Sequence, residues 1–372
     1  MGNILDYIAW RGDLALEQSS FNDVDALILS WLSYVPFDGI ISGRFSESLL
    51  LREAASKWLT KPAVERKDSL NKNDLVLLRM LGESHRFGAM RLCGYISRND
   101  KEKQTQFAAL TIALGNGSCF VSYRGTDDTL VGWKENVNMS FMMPVPAQLA
   151  ALQYLEQVAD VAAGALLLGG HSKGGNLAAY AASFCSSEIQ DRIVRVYSND
   201  GPGFPEEIVT RSGYQAVCSR ITTFVPQSSV VGLLLEHGEG YTVVRSEETG
   251  IMQHSPFSWD VMRDHFICLE AITKSGRFVD KTLKQWLADR TPQQRERVVD
   301  ALYSALQQTQ ATTMTELTAK WFQNAGVVLK SFQNMDEETR QLISQTLSLL
   351  FQSARDNMGI FMPTLPFSKK EI

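Results

Sequence analysis

The sequence predicts an α/β fold: a mostly parallel central sheet with helices on both faces, followed by a helical C-terminal region. Three observations carry that reading. The apolar run Leu166-Leu167-Leu168-Gly169-Gly170 leads through His171-Ser172-Lys173-Gly174-Gly175 into an alanine-rich helical pattern up to Ala182, in the order strand, sharp turn, helix. Further apolar segments at 193–197, 221–225 and 241–245 alternate with helical patterns, as parallel strands joined by crossover helices do. After about residue 270 the strand signals stop and amphipathic helical patterns replace them.

Taken in order, residues 1 to about 60 read as mixed helix. Asp23, Asp25, Ala26, Leu27, Ile28, Leu29, Trp31 and Leu32 form an amphipathic segment that ends before Pro36. Phe107 to Leu114 and Cys119 to Tyr123 read as two strands joined by the turn residues Gly115-Asn116-Gly117. This hairpin makes the start of the sheet antiparallel and the whole sheet mixed. Residues 147–163 are helical, and a buried strand at 165–169 feeds the turn at Ser172. In the tail, Thr291-Pro292 is a cap followed by proline at the first helical position. Asp336 caps a helix carrying Leu342, Ile343, Leu347, Leu350 and Phe351. The chain thus divides into a core domain at 1–270 and a helical extension at 271–372. The extension is expected to pack on the core or on itself, its sharper use being to bind a protein partner. Its mixed charges do not make the basic face of a membrane-surface helix.

Composition narrows the function classes. The 372 residues suffice for one large domain or two smaller ones. Hydrophobic residues at 44% and charged residues at 21% are ordinary for a soluble protein, and a net charge of -5 gives no sign of a nucleic-acid partner. The five cysteines are scattered without a CxxC pair, which suggests neither zinc nor a disulfide framework and fits a reducing compartment. The start, Met1-Gly2-Asn3-Ile4-Leu5-Asp6, lacks a basic region followed by an apolar core, and no apolar run approaches a membrane span. A cytoplasmic protein is expected.

The chemistry centres on Gly170-x-Ser172-x-Gly174. A serine on so sharp a turn adopts a strained backbone, and side chains two residues either side would clash; glycine removes the clash. The hydroxyl then stands at a helix N-terminus, where the dipole and backbone N–H groups favour a developing oxyanion. A phosphate loop is a poor alternative, because it ends in Gly-Lys-Ser or Gly-Lys-Thr, whereas the order here is Ser172-Lys173-Gly174. A serine nucleophile needs a base and usually an acid to orient it. Of the five histidines, His171 lies inside the turn with its ring directed away from its neighbour, and His85 precedes the sheet. His237, His254 and His265 follow Ser172, as the order serine, acid, histidine requires. His254 is favoured, because it lies in a loop just after the last predicted strand. His237 sits in a turn-rich connector that reads as surface, and His265 is at helical spacing. Asp200 follows the strand at 193–197 on the turn Asn199-Asp200-Gly201-Pro202-Gly203 and is the candidate acid; the alternative is an aspartate capping its own turn. The oxyanion donors are the backbone of Lys173 and Thr126, the latter in Tyr123-Arg124-Gly125-Thr126-Asp127-Asp128. No metal or cofactor is called for.

These residues resemble the class 3 lipases, a branch of the α/β-hydrolases, and more closely a bacterial lipase-like family of uncharacterised function related to them. The resemblance rests on Tyr123-Arg124-Gly125-Thr126, on Gly132-Trp133-Lys134, on Gly170-His171-Ser172-Lys173-Gly174-Gly175-Asn176, on Asn199 to Phe204, on Val225 to Gly232, and on the late histidine before Trp259. It covers about residues 1–270. It implies the α/β-hydrolase fold and a serine hydrolase acting on an ester or thioester, lipase-like or esterase-like, with a Ser172–His254–Asp200 triad. Two departures stand out. Class 3 lipases usually carry their acid in a segment like Val225–Gly232, where Ser228 stands here, so either Asp200 replaces it or the triad is incomplete. An incomplete triad would suit a catalytically weak or inactive scaffold that binds a partner through its tail. Lys173 replaces an apolar residue, so it either favours anionic substrates or pairs with an acid such as Asp127 or Asp128.

Overall fold

The computed structural model describes residues 2–62, 72–100, 105–126, 130–139 and 141–310, with short further stretches at 326–328, 330–332 and 335–345. Five helices and the two-residue edge strand of the sheet come first: α1 (Ile4–Arg11), α2 (Asp23–Leu32), β1 (Leu49–Leu50), α3 (Leu51–Thr60), α4 (Lys72–Glu83) and α5 (His85–Gly88). The sheet then builds through β2 (Arg91–Asp100), β3 (Thr105–Ala113) and β4 (Cys119–Tyr123). Next come α6 (Leu130–Asn138), α7 (Pro146–Val161), β5 (Leu166–His171), α8 (Lys173–Phe184), α9 (Ser187–Gln190) and β6 (Ile193–Asn199). After α10 (Glu206–Val209) and α11 (Ser212–Cys218) follow β7 (Ile221–Pro226) and β8 (Thr242–Val244). Two 3-10 turns, Gly250–His254 and Pro256–Ser258, precede the short strands β9 (Val261–Met262), β10 (His265–Phe266) and β11 (Cys268–Leu269). Helices α12 (Lys274–Ala288) and α13 (Pro292–Gln307) close the main described region.

Among the described residues one sheet holds nine strands in the order β1-β2-β3-β4-β5-β6-β7-β8-β11. Strands β1 to β4 pair antiparallel, β4 to β8 parallel, and β11 returns antiparallel on β8. The fold is therefore α/β with a mixed sheet, and the expected hairpin is β3–β4. The strand β2 was not expected from the sequence: its Gly94, at φ 63°, and a register shift between Cys93 and Ile96 break the alternation that marks a strand.

Period-two alternation distributes the strand residues between two cores. Phe120, Leu167 and Tyr197 face the core built with α1 to α4, while Val121, Leu166, Leu168 and Val196 face the core built with α7, α8 and α11. The alanines 178, 179, 181 and 182 are all buried, so α8 lies close against β5 and β6 as well as α7 and α11. The amphipathic segment is α2, started by an Asn22 capping box. It is buried along nearly its whole length, including Asp25, which accepts from Arg86 Nε at 2.8 Å and from the Tyr7 hydroxyl at 2.9 Å. No helix among the described residues is long and apolar enough to cross a membrane.

In the tail, Thr291 caps α13 with Pro292 in its first turn. Asp336 Oδ1 accepts from the Thr339 N–H at 2.9 Å, and Leu342 and Ile343 are buried against Val298. Leu347, Leu350 and Phe351 lie outside the described residues. Helix α13 packs on α6, where Lys134 Nζ meets Asp300 at 2.9 Å and lies over the Tyr303 ring.

The register places the site. Tyr123 pairs with Gly170, His171 with Asn199, and Asn199 with Phe224. The carboxyl ends of β4, β5, β6 and β7 are therefore level, and the loops that follow them emerge side by side, where open α/β sheets keep their ligand crevices.

Candidate functional site

Ser172 stands between β5 and α8 at φ 57°, ψ -133°, and is 4% exposed. A positive φ on a non-glycine residue is costly and persists only where its surroundings enforce it. Here they do. The Ser172 N–H donates to the Asn199 carbonyl at 2.9 Å, and its own carbonyl accepts from the Gly175 N–H at 2.9 Å. The turn is so tight that a Cβ on Gly170 would run into the Gly174 backbone, and one on Gly174 would run into the Tyr123 carbonyl.

Asp200 follows β6 directly, also at positive φ (51°), and is 1% exposed. Its Oδ2 lies 2.5 Å from His254 Nδ1. The carboxylate can only accept, so Nδ1 carries the proton and Nε2 is left as the basic nitrogen. Oδ1 accepts from the Ser229 hydroxyl and from the Gly232 N–H at 3.1 Å. His254 closes the first 3-10 turn, and its side chain is 26% exposed. Its loop is pinned at two points: Trp259 Nε1 donates to the Gln253 carbonyl at 2.9 Å, and Gln253 Oε1 accepts from the Ser228 N–H at 2.9 Å.

His171 also meets His254. Its Nε2 donates to the His254 carbonyl at 2.7 Å, its Nδ1 lies 3.3 Å from the Tyr34 hydroxyl, and the two imidazoles have centroids 4.4 Å apart. Burial, and then the adjacent His254 ring, hold the His171 imidazole well below the usual histidine value, against a smaller raising effect of its bond to the carbonyl. The residue before Ser172 thus stays neutral and tethers the His254 loop.

Thr126 follows β4 beside the turn. Gly125, just before it, lies so close to Ser172 Cβ, the His171 carbonyl and the Tyr34 hydroxyl that no side chain fits there. Among the described residues the Thr126 hydroxyl is buried without a partner. Asp127 and Asp128 lie outside the described residues. Lys173 does not face the site with its charge. The side chain is fully buried, donating from Nζ to Glu135 Oε2 at 2.5 Å and to the Gln106 carbonyl at 2.8 Å. The first turn of α8 directs it under the sheet, so its charge is matched by α6, which excludes the side chain as an anion receptor. Glu135 also accepts from the N–H groups of Gln106 and Ala147, both at 3.1 Å.

The structure brings Asp200 and His254 together and sets Ser172 and Thr126 on the neighbouring strand ends. The other histidines do not join them. His265 lies on β10 rather than in a helix, exposed beside Asp264 at 3.1 Å. His237 is not surface: it is buried between the Gly232 carbonyl and Glu239. Ser228 turns its hydroxyl to Thr273 at 2.6 Å, while its neighbour Ser229 faces Asp200. The parts played by Ser229, Gly232, His237 and Glu135, and the tether by His171, were not read from the sequence. A Ser-Ser-x-x-Gly stretch after a strand was the one available signal for the first two.

Fold and geometry together define an α/β protein with a strained serine, a histidine–aspartate pair and a buried threonine hydroxyl gathered at the carboxyl ends of four parallel strands. The Mbeg1-like family model matches residues 81–304, more than half of the chain, and this chain belongs to the Mbeg1-like family. The match runs past β11 into α13. No curated protein is similar enough to match the chain. Among solved structures, the Rhizomucor miehei lipase propeptide complex shares 14% identity over 43% of this chain and 58% of its own, with a TM-score of 0.31. M37 lipase shares 14% identity over 49% of this chain and 68% of its own, with a TM-score of 0.34. The likeness thus spans a little over half the length of the Rhizomucor chain.

Proposed function

We propose that this protein is a cytoplasmic serine hydrolase of the α/β-hydrolase type that cleaves an ester or thioester. Its hydrolase domain is residues 1–270, extended by helices at 271–372. The observation that carries the reading is the 2.5 Å contact between His254 Nδ1 and Asp200, one strand end away from a serine held at positive φ.

Ser172 Oγ attacks the acyl carbonyl, and His254 Nε2 takes its proton. Asp200 holds the ring with Nδ1 protonated and stabilises the imidazolium that forms. The carbonyl electrons move to oxygen, which accepts from the Lys173 backbone N–H and from Thr126. Collapse breaks the bond to the leaving group, which receives the proton from His254. Water, activated by His254, then releases the acid from the acyl-enzyme. No step calls on a metal or cofactor. The same residues serve acyl transfer if another acceptor replaces water.

Labelling by a fluorophosphonate probe tests the reading. The wild type is expected to label and Ser172→Ala not to; equal labelling of both would defeat the assignment of Ser172.

A further inference from the structure

Behind the candidate acid lies a second histidine–carboxylate pair that the proposed reaction does not use. The Asp200 oxygen turned away from His254 accepts from the Gly232 N–H, and the Gly232 carbonyl accepts from His237 Nε2 at 2.7 Å. His237 Nδ1 lies 3.3 Å from Glu239 Oε1. Glu239 also accepts from Thr223 Oγ1 at 2.5 Å and from the Tyr214 hydroxyl. The Gly232 carbonyl can only accept, so His237 Nε2 is the donor there, and both side chains of the pair are only 5% exposed. Burial pushes the Glu239 carboxyl up, but bonds from His237, Thr223 and Tyr214 and the His237 charge outweigh it and hold the group below the usual carboxylate value. The ring of Tyr241 faces His237 from the other side, with centroids 5.9 Å apart.

Gly232 is the link. Its N–H serves Asp200 and Ser229 Oγ, its carbonyl serves His237, and a side chain at this position would strike Asp200 Oδ1. We propose that His237, held by Glu239, is a positioning residue: it fixes the 229–232 turn so that the Gly232 N–H and the Ser229 hydroxyl hold the Asp200 carboxylate aimed at His254. The inference rests on the Ser172–His254–Asp200 reading. It gives the buried pair a task that a merely structural ion pair would not have, because its influence reaches the proposed base through one residue.

The test uses the full chain with His237→Leu, His237→Gln and Glu239→Gln, and reads turnover of a small soluble ester, the proton resonance of His254 Nδ1–H and the melting temperature. His237→Leu is expected to lower kcat about tenfold to a hundredfold with KM unchanged, and to shift the resonance. His237→Gln, whose side-chain amide can donate to the Gly232 carbonyl, is expected to recover most of both. A folded His237→Leu protein with wild-type kcat and an unshifted resonance overturns the proposal. So does a loss that follows the melting temperature and is not recovered by glutamine. If the leucine variant does not fold, an unshifted resonance in Glu239→Gln overturns it equally. The resonance needs no turnover, so an inactive wild type defeats the catalytic reading separately and leaves this one to be decided by the spectrum.

Discussion

The two halves of the site differ in how their polar groups are partnered. On the acid–base half, Asp200 accepts from Ser229 and Gly232 and meets His254, whose loop is tied down through His171 and Gln253. On the proposed oxyanion half, the Thr126 hydroxyl is buried with no partner among the described residues. A buried hydroxyl left unpaired costs roughly 1–3 kcal/mol, a cost that a substrate oxygen would remove. In the proposed reaction, the first half is finished before substrate arrives and the second is completed by it. Finished hydrogen bonds orient groups that must keep one geometry throughout the reaction, whereas a waiting donor acts most strongly where new charge develops.

The largest expected effect comes from breaking the finished half. Asp200→Asn should leave the fold intact and lower turnover by roughly 10⁴ at neutral pH, because an amide in that place favours the wrong histidine tautomer. His254→Ala should cost at least as much, and His265→Ala almost nothing, since His265 is exposed beside Asp264. A new carboxylate from Ser228→Asp is not expected to rescue Asp200→Asn, because Ser228 faces Thr273 rather than the Asp200–His254 pair. Nearly wild-type turnover in Asp200→Asn would make the Asn199–Phe204 turn structural and leave a serine–histidine dyad.

A smaller effect, with an opposite sign in stability, is expected on the waiting half. Thr126→Val removes the hydroxyl and keeps the shape. Loss of one oxyanion donor lowers kcat by roughly 10²–10³. Removal of an unpartnered buried hydroxyl leaves the melting temperature unchanged or raises it. Calorimetry beside steady-state kinetics separates the two. A variant that loses stability, or keeps full turnover, would place Thr126 in the structure rather than in the chemistry.

The same division decides what could be read in the sequence. Serine, its flanking glycines and the apolar strand before them are local, and steric exclusion at Gly170 and Gly174 leaves glycine as the only fit, so that turn was legible. Asp200 and His254 were legible by position, because strand ends and the loops after them come in a fixed order in such sheets. The partners of buried charges were not. Asp25 lies in what reads as an amphipathic helix, yet its face is covered and Arg86, 61 residues away, neutralises it. Lys173 finds Glu135 from a helix whose place depends on how α6 packs, and no spacing reveals that. His237 sits among Gly and Glu residues that look solvated, and only the fold turns its ring and the Glu239 carboxylate inward. Strand β2 was missed because a positive-φ glycine and a bulge interrupt its alternation.

The smallest expected effect concerns His171, which belongs to both halves: it precedes Ser172 and tethers the His254 loop. Burial and the neighbouring His254 ring hold its imidazole well below the usual value of 6.5, so the folded protein keeps it neutral where the unfolded chain takes up a proton. The unfolded state then binds more protons, and stability must fall as pH drops below about 6.5, by at most about 1.4 kcal/mol per pH unit from this one group. Above that pH both states are neutral there and the contribution is constant. Glu239, whose carboxyl is held below its usual 4.5, contributes stability that is lost only at still lower pH. In His171→Gln, whose amide can donate to the His254 carbonyl, urea unfolding between pH 8 and pH 5 should show a flatter acid limb than the wild type. Turnover at pH 8 should change little, because the tether is kept. An identical acid limb in both proteins would mean that His171 takes up a proton in the folded state, and the hydrogen bond between the turn and the base loop would then have to tolerate an imidazolium packed against the His254 ring.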